Sequence, residues 1–142
     1  MRRSAWAELR RRRGATTLEF ALVGGLALAL LLGSMEAARF GFTQQALRSL
    51  AGEAARAAGL MGSANMIALR SPCTGLSGSL TNLNVEAPFL MPTMLSVTMS
   101  DCMTRGAVTM VTVVVRQPFT FQVSLFGIGT LILTESVQAV FN

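Results

Sequence analysis

Apolar residues are concentrated in one uninterrupted run near the N-terminus. Residues 20–35 are 16 consecutive positions without a formal charge, and Glu19 and Glu36 bound them. At about 1.5 Å per residue a helix of this length is roughly 24 Å long, short of the ~30 Å hydrocarbon core of a bilayer. Adding residues 15–18 gives a helix of about 21 residues, which is enough to cross. The pattern predicts a membrane-spanning helix with one carboxylate, Glu19, close to its first edge.

The pattern changes to a helical stripe after residue 36. Small and apolar side chains recur at steps of three and four residues, which predicts that the helix continues to about residue 60 with one apolar face. The positions of this stripe are Thr43, Leu47, Leu50, Ala51, Ala54 and Ala58. The stripe suits two roles equally, packing on the chain's own domain or contact with a neighbouring subunit. Gly59 and Gly62, followed by Ser63 and Asn65, predict the end of the helix.

The C-terminal half alternates runs of β-branched residues with turn-forming residues. Residues 95–99, 107–116 and 130–140 are predicted strands. Pro118 and residues 127–129 predict turns or bends between the last two strands. Apolar residues on both faces of the second strand predict that it is covered on each side. We therefore expect an α+β fold, in which the long N-terminal helix packs against a small C-terminal antiparallel β-sheet.

These patterns divide the chain into four segments. Residues 1–14 form a basic leader, and residues 15–36 form the transmembrane part of the helix. Residues 37–61 continue the helix outside the membrane, and residues 62–142 form a β-rich domain in which 62–93 are rich in loops. Outside the leader the arginines and acids balance, so the leader carries the whole net charge of +5.

The charge distribution predicts the orientation of the chain in the membrane. Six of the twelve basic residues, all arginines, lie in the leader beside the apolar run. Positive residues that flank a first membrane helix stay in the cytoplasm, so the N-terminus is predicted to be cytoplasmic and the C-terminal domain extracytoplasmic. A nucleic-acid partner is not expected, because no basic face exists outside the leader.

The composition argues against an enzyme. The chain has no histidine, lysine or tyrosine, which removes Ser-His-Asp and Cys-His catalysis and the common zinc sites. We expect no catalytic residues, no metal and no cofactor. Cys73 and Cys102 are the only cysteines. Outside the cytoplasm such a pair forms a disulfide more often than a metal site, and two free buried thiols are the alternative.

The leader ends in a sequence that suits proteolytic processing. The arginine block at residues 10–13 is followed by Gly14, Ala15 and, five residues beyond the glycine, Glu19. This order is similar to the processing signal of a type IV prepilin. Signal-peptidase windows after the apolar run are poorer, because they place Met35 or Glu36 where a small residue is needed. A cut after Gly14 retains the helix and creates a positive α-amine on Ala15, which can pair with the Glu19 carboxylate of a neighbouring subunit.

A family resemblance rests on three stretches of the first 60 residues. They are the sequence RRGATTLEFALV at 12–23, the pair Glu36 and Arg39, and the sequences QAL at 45–47 and AAR at 54–56. Together they resemble the TadE-like family, the minor pseudopilins of tight-adherence (Flp-type) pilus systems. The departure is Gly24-Gly25, where many members carry a proline.

The resemblance implies a pilin-like fold and a role in pilus assembly. It implies that a prepilin peptidase cuts between Gly14 and Ala15, that Glu19 is the assembly carboxylate, and that other pilins and pilus-assembly proteins are partners. The implied location is the bacterial inner membrane, with the C-terminal domain outside the cytoplasm and a function in cell adhesion. The alternative is a membrane-anchored extracytoplasmic binding module that never polymerises.

Overall fold

The computed structural model describes the backbone of residues 3–80, 90–122 and 129–142 and the side chains of residues 16–78, 90–122 and 129–142. Five elements follow in the order α1 (Arg3–Ile67), α2 (Leu76–Leu80), β1 (Ser96–Arg105), β2 (Val108–Thr120) and β3 (Thr130–Phe141). The chain forms two compact units, Met1–Ala38 and Arg39–Asn142. The predicted α+β class is confirmed.

Helix α1 is longer at both ends than the sequence pattern predicts. It continues without a break through Gly24-Gly25, Gly59 and Gly62 and ends at Ile67, so the stop predicted at Gly59 and Gly62 is wrong. The real end is a Schellman turn, in which the Leu69 N–H donates to the Met66 carbonyl at 3.0 Å and the Arg70 N–H to the Asn65 carbonyl at 2.8 Å.

Leu69 occupies the left-handed position of this turn. Its φ angle is 53°, a conformation in which glycine is the usual residue and a leucine is strained. The Asn65 side chain fixes the chain beyond the turn, because its amide donates to the Thr74 carbonyl at 2.8 Å. Asn65 therefore marks the neighbourhood of the helix end, although the glycines before it do not.

The three strands form one antiparallel sheet in the order β1-β2-β3. All three predicted strands exist, and the third matches within one residue. In β2 every second residue is buried, whereas Met110, Thr112 and Val114 on the opposite face are half-buried. The prediction that β2 is covered on each side is therefore wrong for the described part of the chain. One face holds the core.

Strand β1 extends past its predicted end because of a β-bulge. Its register with β2 shifts between Met99 and Asp101. Before the bulge Met99 lies opposite the buried Val113, and after it Cys102 lies opposite the buried Val111. A bulge inserts one unpaired residue and so reverses which side chains face the core. Without it, Asp101 would face inward and Cys102 outward.

Pro118 lies inside β2, opposite Ile132 of β3, so the prediction that it ends the strand is wrong. Strand β1 begins at Ser96, opposite Arg116, so β1 does not pair with β2 at Pro118. A proline without an N–H is tolerated where a strand lies at a sheet edge. Of the turn predicted at residues 127–129, only Gly129 lies among the described residues, and its carbonyl accepts from the Phe121 N–H at 3.2 Å.

The predicted stripe of α1 packs on the sheet of its own domain. All six of its positions are at most 4% exposed, and its five apolar members belong to the hydrophobic core together with Val111, Val113 and Val115 of β2. Alanine side chains allow the helix and the sheet to approach closely. Of the two roles that the sequence left open for the stripe, the structure shows packing within the domain.

Gly62 lies directly against the aromatic ring of Phe141. A Cβ at this position would collide with the Phe141 ring atoms Cε2 and Cζ, whereas a Cβ at Gly59 would meet the same ring at an ordinary 4.0 Å. Phe141 is the last residue of β3 and is buried. The absent side chain of Gly62 therefore lets the end of β3 close onto α1.

A disulfide joins Cys73 to Cys102 across 29 positions, with the Cα atoms 6.0 Å apart, and the predicted bridge is confirmed. This separation lies in the usual range for disulfides. The bond ties the segment after α1 to β1, and it requires the inward orientation of Cys102 that the bulge provides.

We predict that Gly62→Ala destabilises the domain. The new methyl group displaces the Phe141 ring, and the lost burial of about 1.5–3 kcal/mol outweighs the gain of about 1 kcal/mol in helix propensity. Thermal unfolding of the full chain in detergent measures the effect. Gly59→Ala is the matched control and should be neutral or stabilising. An equal or higher melting temperature for Gly62→Ala would contradict the packing described here.

We also predict that Cys73→Ser lowers the free energy of unfolding by roughly 3–4 kcal/mol, because the bridge no longer restricts the unfolded chain. Urea unfolding of the full chain with and without reductant measures this. Reductant should shift the midpoint of the parent protein and leave that of Cys73→Ser unchanged. Labelling of both thiols in the unreduced parent would show that the bridge does not form.

Candidate membrane and assembly segment

The first unit exposes an apolar helical surface. The large apolar residues of positions 18–35 are all exposed, from Leu32 at 41% to Phe20 at 81%. Fully exposed apolar side chains are unfavourable in water at about 25 cal/mol per Å². This part of α1 therefore needs lipid or other helices around it.

The apolar character extends around the whole helix. The best window of 18 residues between Thr16 and Ile67 has a mean hydropathy of 2.0, and none of it is buried. A soluble helix that packs on one face shows an apolar stripe, whereas a helix that is apolar all round lies in a core or a membrane. The segment is thus a candidate membrane span by length and composition, properties that it shares with a signal sequence.

Glu19 is the carboxylate nearest the start of this surface. It is exposed and lies four residues after Ala15, so the two positions share one face of α1 about 6 Å apart along the axis. Of the two acids that bound the apolar run, Glu36 is buried and Glu19 is not. An exposed carboxylate at this position can reach a charge on a neighbouring chain.

Gly14 and Ala15 lie within the helix. The backbone of α1 runs continuously through both residues, so the predicted cleavage bond is part of a helix in the unprocessed chain. A cut there would make Ala15 the first residue of the helix and would place its new α-amine at the positive end of the helix dipole. Glu19, the fifth residue from the cut, would then lie one helical turn from this amine.

The second unit contains features that the sequence patterns did not predict. Phe40 of α1 packs edge-on against Phe119 at a centroid distance of 5.5 Å, and the Arg39 guanidinium lies 5.4 Å from the centre of the same ring. Arg48 of α1 pairs with Glu135 of β3 at 3.0 Å. Sequence periodicity predicts which face of a helix is apolar, but not which distant strand residue lies opposite.

A groove of about 460 Å³ lies beside this aromatic contact. Its apolar wall includes Met91, Met94 and Phe119, and Arg39 and Gln117 are among its polar members. The Gln117 side chain is buried, and its oxygen accepts from the Met91 N–H at 3.3 Å. Among the described residues no group of three His, Cys, Asp or Glu side chains could hold a metal ion.

The comparisons with known proteins bear on the N-terminal part of the chain, residues 14–56. No curated protein and no solved structure matches it. The predicted site residues Gly14, Ala15 and Glu19 and the stripe of α1 up to Ala54 lie in the stretch that a family model matches. That family is structural and non-enzymatic, in agreement with the prediction that the chain is not an enzyme. Residues 14–56 match the family model described as TadE-like protein, and the predicted resemblance to this pilus-associated family is thereby confirmed.

Proposed function

We propose that the chain is a minor pseudopilin that takes part in assembling a tight-adherence pilus after a prepilin peptidase has removed residues 1–14. The observation that carries this proposal is the exposed, all-round apolar part of α1 at residues 18–35, which follows shortly after Gly14 and has the exposed Glu19 near its start. Such a surface serves both anchoring in a membrane and packing with like helices.

The packing within the second unit limits where α1 can contact a neighbouring subunit. The stripe of α1 at residues 43–58 is occupied by the chain's own sheet and offers no surface to a neighbour. Phe42, Leu60 and Ile67 are separate exposed residues further along, whereas the continuous apolar surface of α1 is that of residues 20–35. Gly24, Gly25 and Gly33 lie there, and a Cβ at each would meet nothing within 4 Å. Small residues of this kind allow membrane helices to approach closely.

Processing controls assembly through charge. In the unprocessed chain the Ala15 nitrogen is an uncharged amide, and the arginines of the leader hold the helix at the cytoplasmic face. The cut removes these arginines and leaves one positive α-amine on Ala15. In low dielectric this amine and the Glu19 carboxylate of a neighbour offset each other's desolvation and set the axial register of the two helices. Removal of the leader is therefore required before assembly.

The disulfide supports an extracytoplasmic second unit. The bond between Cys73 and Cys102 belongs to an oxidising compartment, because cytoplasmic thiols are kept reduced. This agrees with the arginine-rich leader on the cytoplasmic side. The subunit accordingly resides in the bacterial inner membrane with its β-sheet outside the cytoplasm.

A second candidate function is a membrane-anchored binding module that never polymerises. The groove beside Phe119 favours it, since its volume of about 460 Å³ falls within the range of ligand pockets. Cleavage separates the two functions, because a simple anchored receptor has no need for prepilin processing.

We predict that the mature protein begins at Ala15. Intact-mass measurement of the membrane-resident protein should show the loss of residues 1–14 when the prepilin peptidase is present. Gly14→Leu should block the cut by placing a bulky side chain at the cleavage bond, whereas Gly25→Ala in the same helix should not. An intact N-terminus in the parent protein would favour the binding module.

We further predict that Glu19→Gln abolishes co-purification of the processed subunit with other pilins, because the neutral amide cannot pair with the α-amine of Ala15. Cleavage and membrane content should remain unchanged. Glu53→Gln, at an exposed site on the same helix, is the control and should co-purify normally. Undiminished co-purification of the processed Glu19→Gln protein would refute the pairing.

A further inference from the structure

The chain enters the second unit at an identifiable end. Arg39 is the first residue of that unit, and the next residue, Phe40, packs against Phe119 and Phe121. These two phenylalanines lie at the C-terminal end of β2 and just beyond it. We refer to this part of the unit as the entry end. The opposite end lies where α1 stops at Ile67, about 42 Å further along the helix axis.

The entry end exposes apolar side chains that the core does not use. Met91 and Met94 are each 55% exposed and line the groove together with Pro118. Pro118 lies opposite Ile132, which is 71% exposed. Pro118 therefore links the two methionines of the groove to Ile132, and all four residues lie at one end of the sheet.

The charge at this end is positive. Arg116 is exposed on the same face of β2 as Pro118, two residues before it. The acid nearest to it in register is Glu135, which follows its partner Thr134, and Glu135 is held by Arg48 at 3.0 Å. We define the entry surface as Met91, Met94, Arg116 and Ile132.

The entry surface is tied to the predicted membrane span by a short length of chain. Four residue steps separate Met35, at the end of the apolar run, from Arg39. Even fully extended, these steps reach no further than about 14 Å. A tethered surface meets the bilayer at a high effective concentration. Contacts that would be too weak between separate molecules are then sufficient to hold the surface on the bilayer.

We propose that the entry surface docks on the outer face of the bilayer in which the chain is anchored, with the methionines and Ile132 among the lipid headgroups and Arg116 against anionic phosphates. Exposed apolar side chains together with basic residues are the combination by which surfaces lie on anionic membranes. This inference rests on the proposed membrane anchoring. Before assembly, the folded second unit then lies on the membrane surface.

Quenching of single tryptophans by brominated lipids tests this proposal on the full chain. The only tryptophan, Trp6, is first replaced by phenylalanine, and vesicles containing brominated phosphatidylglycerol are used. Ile132→Trp reports on the entry surface. Val140→Trp is the matched control, because Val140 is 62% exposed on the same face of the same strand, about 26 Å away. Leu26→Trp reports on the membrane span itself.

We expect loss of fluorescence at positions 26 and 132 and none at 140. Arg116→Glu should restore the fluorescence at position 132, whereas Arg105→Glu, at the other end of the sheet, should leave it quenched. If position 26 is quenched and position 132 is quenched no more than position 140, the docking is overturned and the anchoring stays intact. Absence of quenching at 26 would overturn the anchoring and, with it, the docking.

Discussion

Close packing between the alanine-rich face of α1 and the valines of β2 is the contact on which the folded unit depends. Ala51, Ala54 and Ala58 are completely buried, as are the facing valines of β2. Small side chains on the helix and branched side chains on the strand fill one shared core. A larger residue on the helix would force them apart, and an interior at native density has no room for it.

This shared core depends on further contacts elsewhere in the unit. At the far end of the sheet Phe141 can cover the core only because Gly62 has no side chain. On the other side of β2 the bulge at Ser100 directs Cys102 inward, and the disulfide then holds the segment after α1 against β1. The exposed pair of Arg48 and Glu135 adds little, since such pairs contribute about 0.2–1 kcal/mol.

Local patterns predicted the elements of the fold but not the features that depend on distant partners. The stripe of α1 follows from its 3.6-residue period, and the strands follow from their β-branched residues. Gly62 was interpreted as a helix stop because its true partner, Phe141, is far along the chain. Pro118 was interpreted as a turn because its tolerance depends on where β1 begins. The polar pair Ser100 and Asp101 resembles a strand end, and only the register with β2 shows that it is a bulge.

The functional segment was predicted from sequence for a different reason. Its signal is local, consisting of arginines, Gly14, Glu19 and an apolar run in fixed order, so no tertiary contact is needed to recognise it. What the sequence could not decide was which apolar surface serves the chain itself and which serves a neighbour. Because the domain's own sheet covers the stripe at residues 43–58, the surface at residues 20–35 is the continuous exposed apolar part of α1 that is available to lipid and to other helices. In the proposed assembly Glu19 is the charged group best placed to set the register of those helices, since a purely apolar surface can slide along its neighbour whereas a desolvated charge must meet its partner.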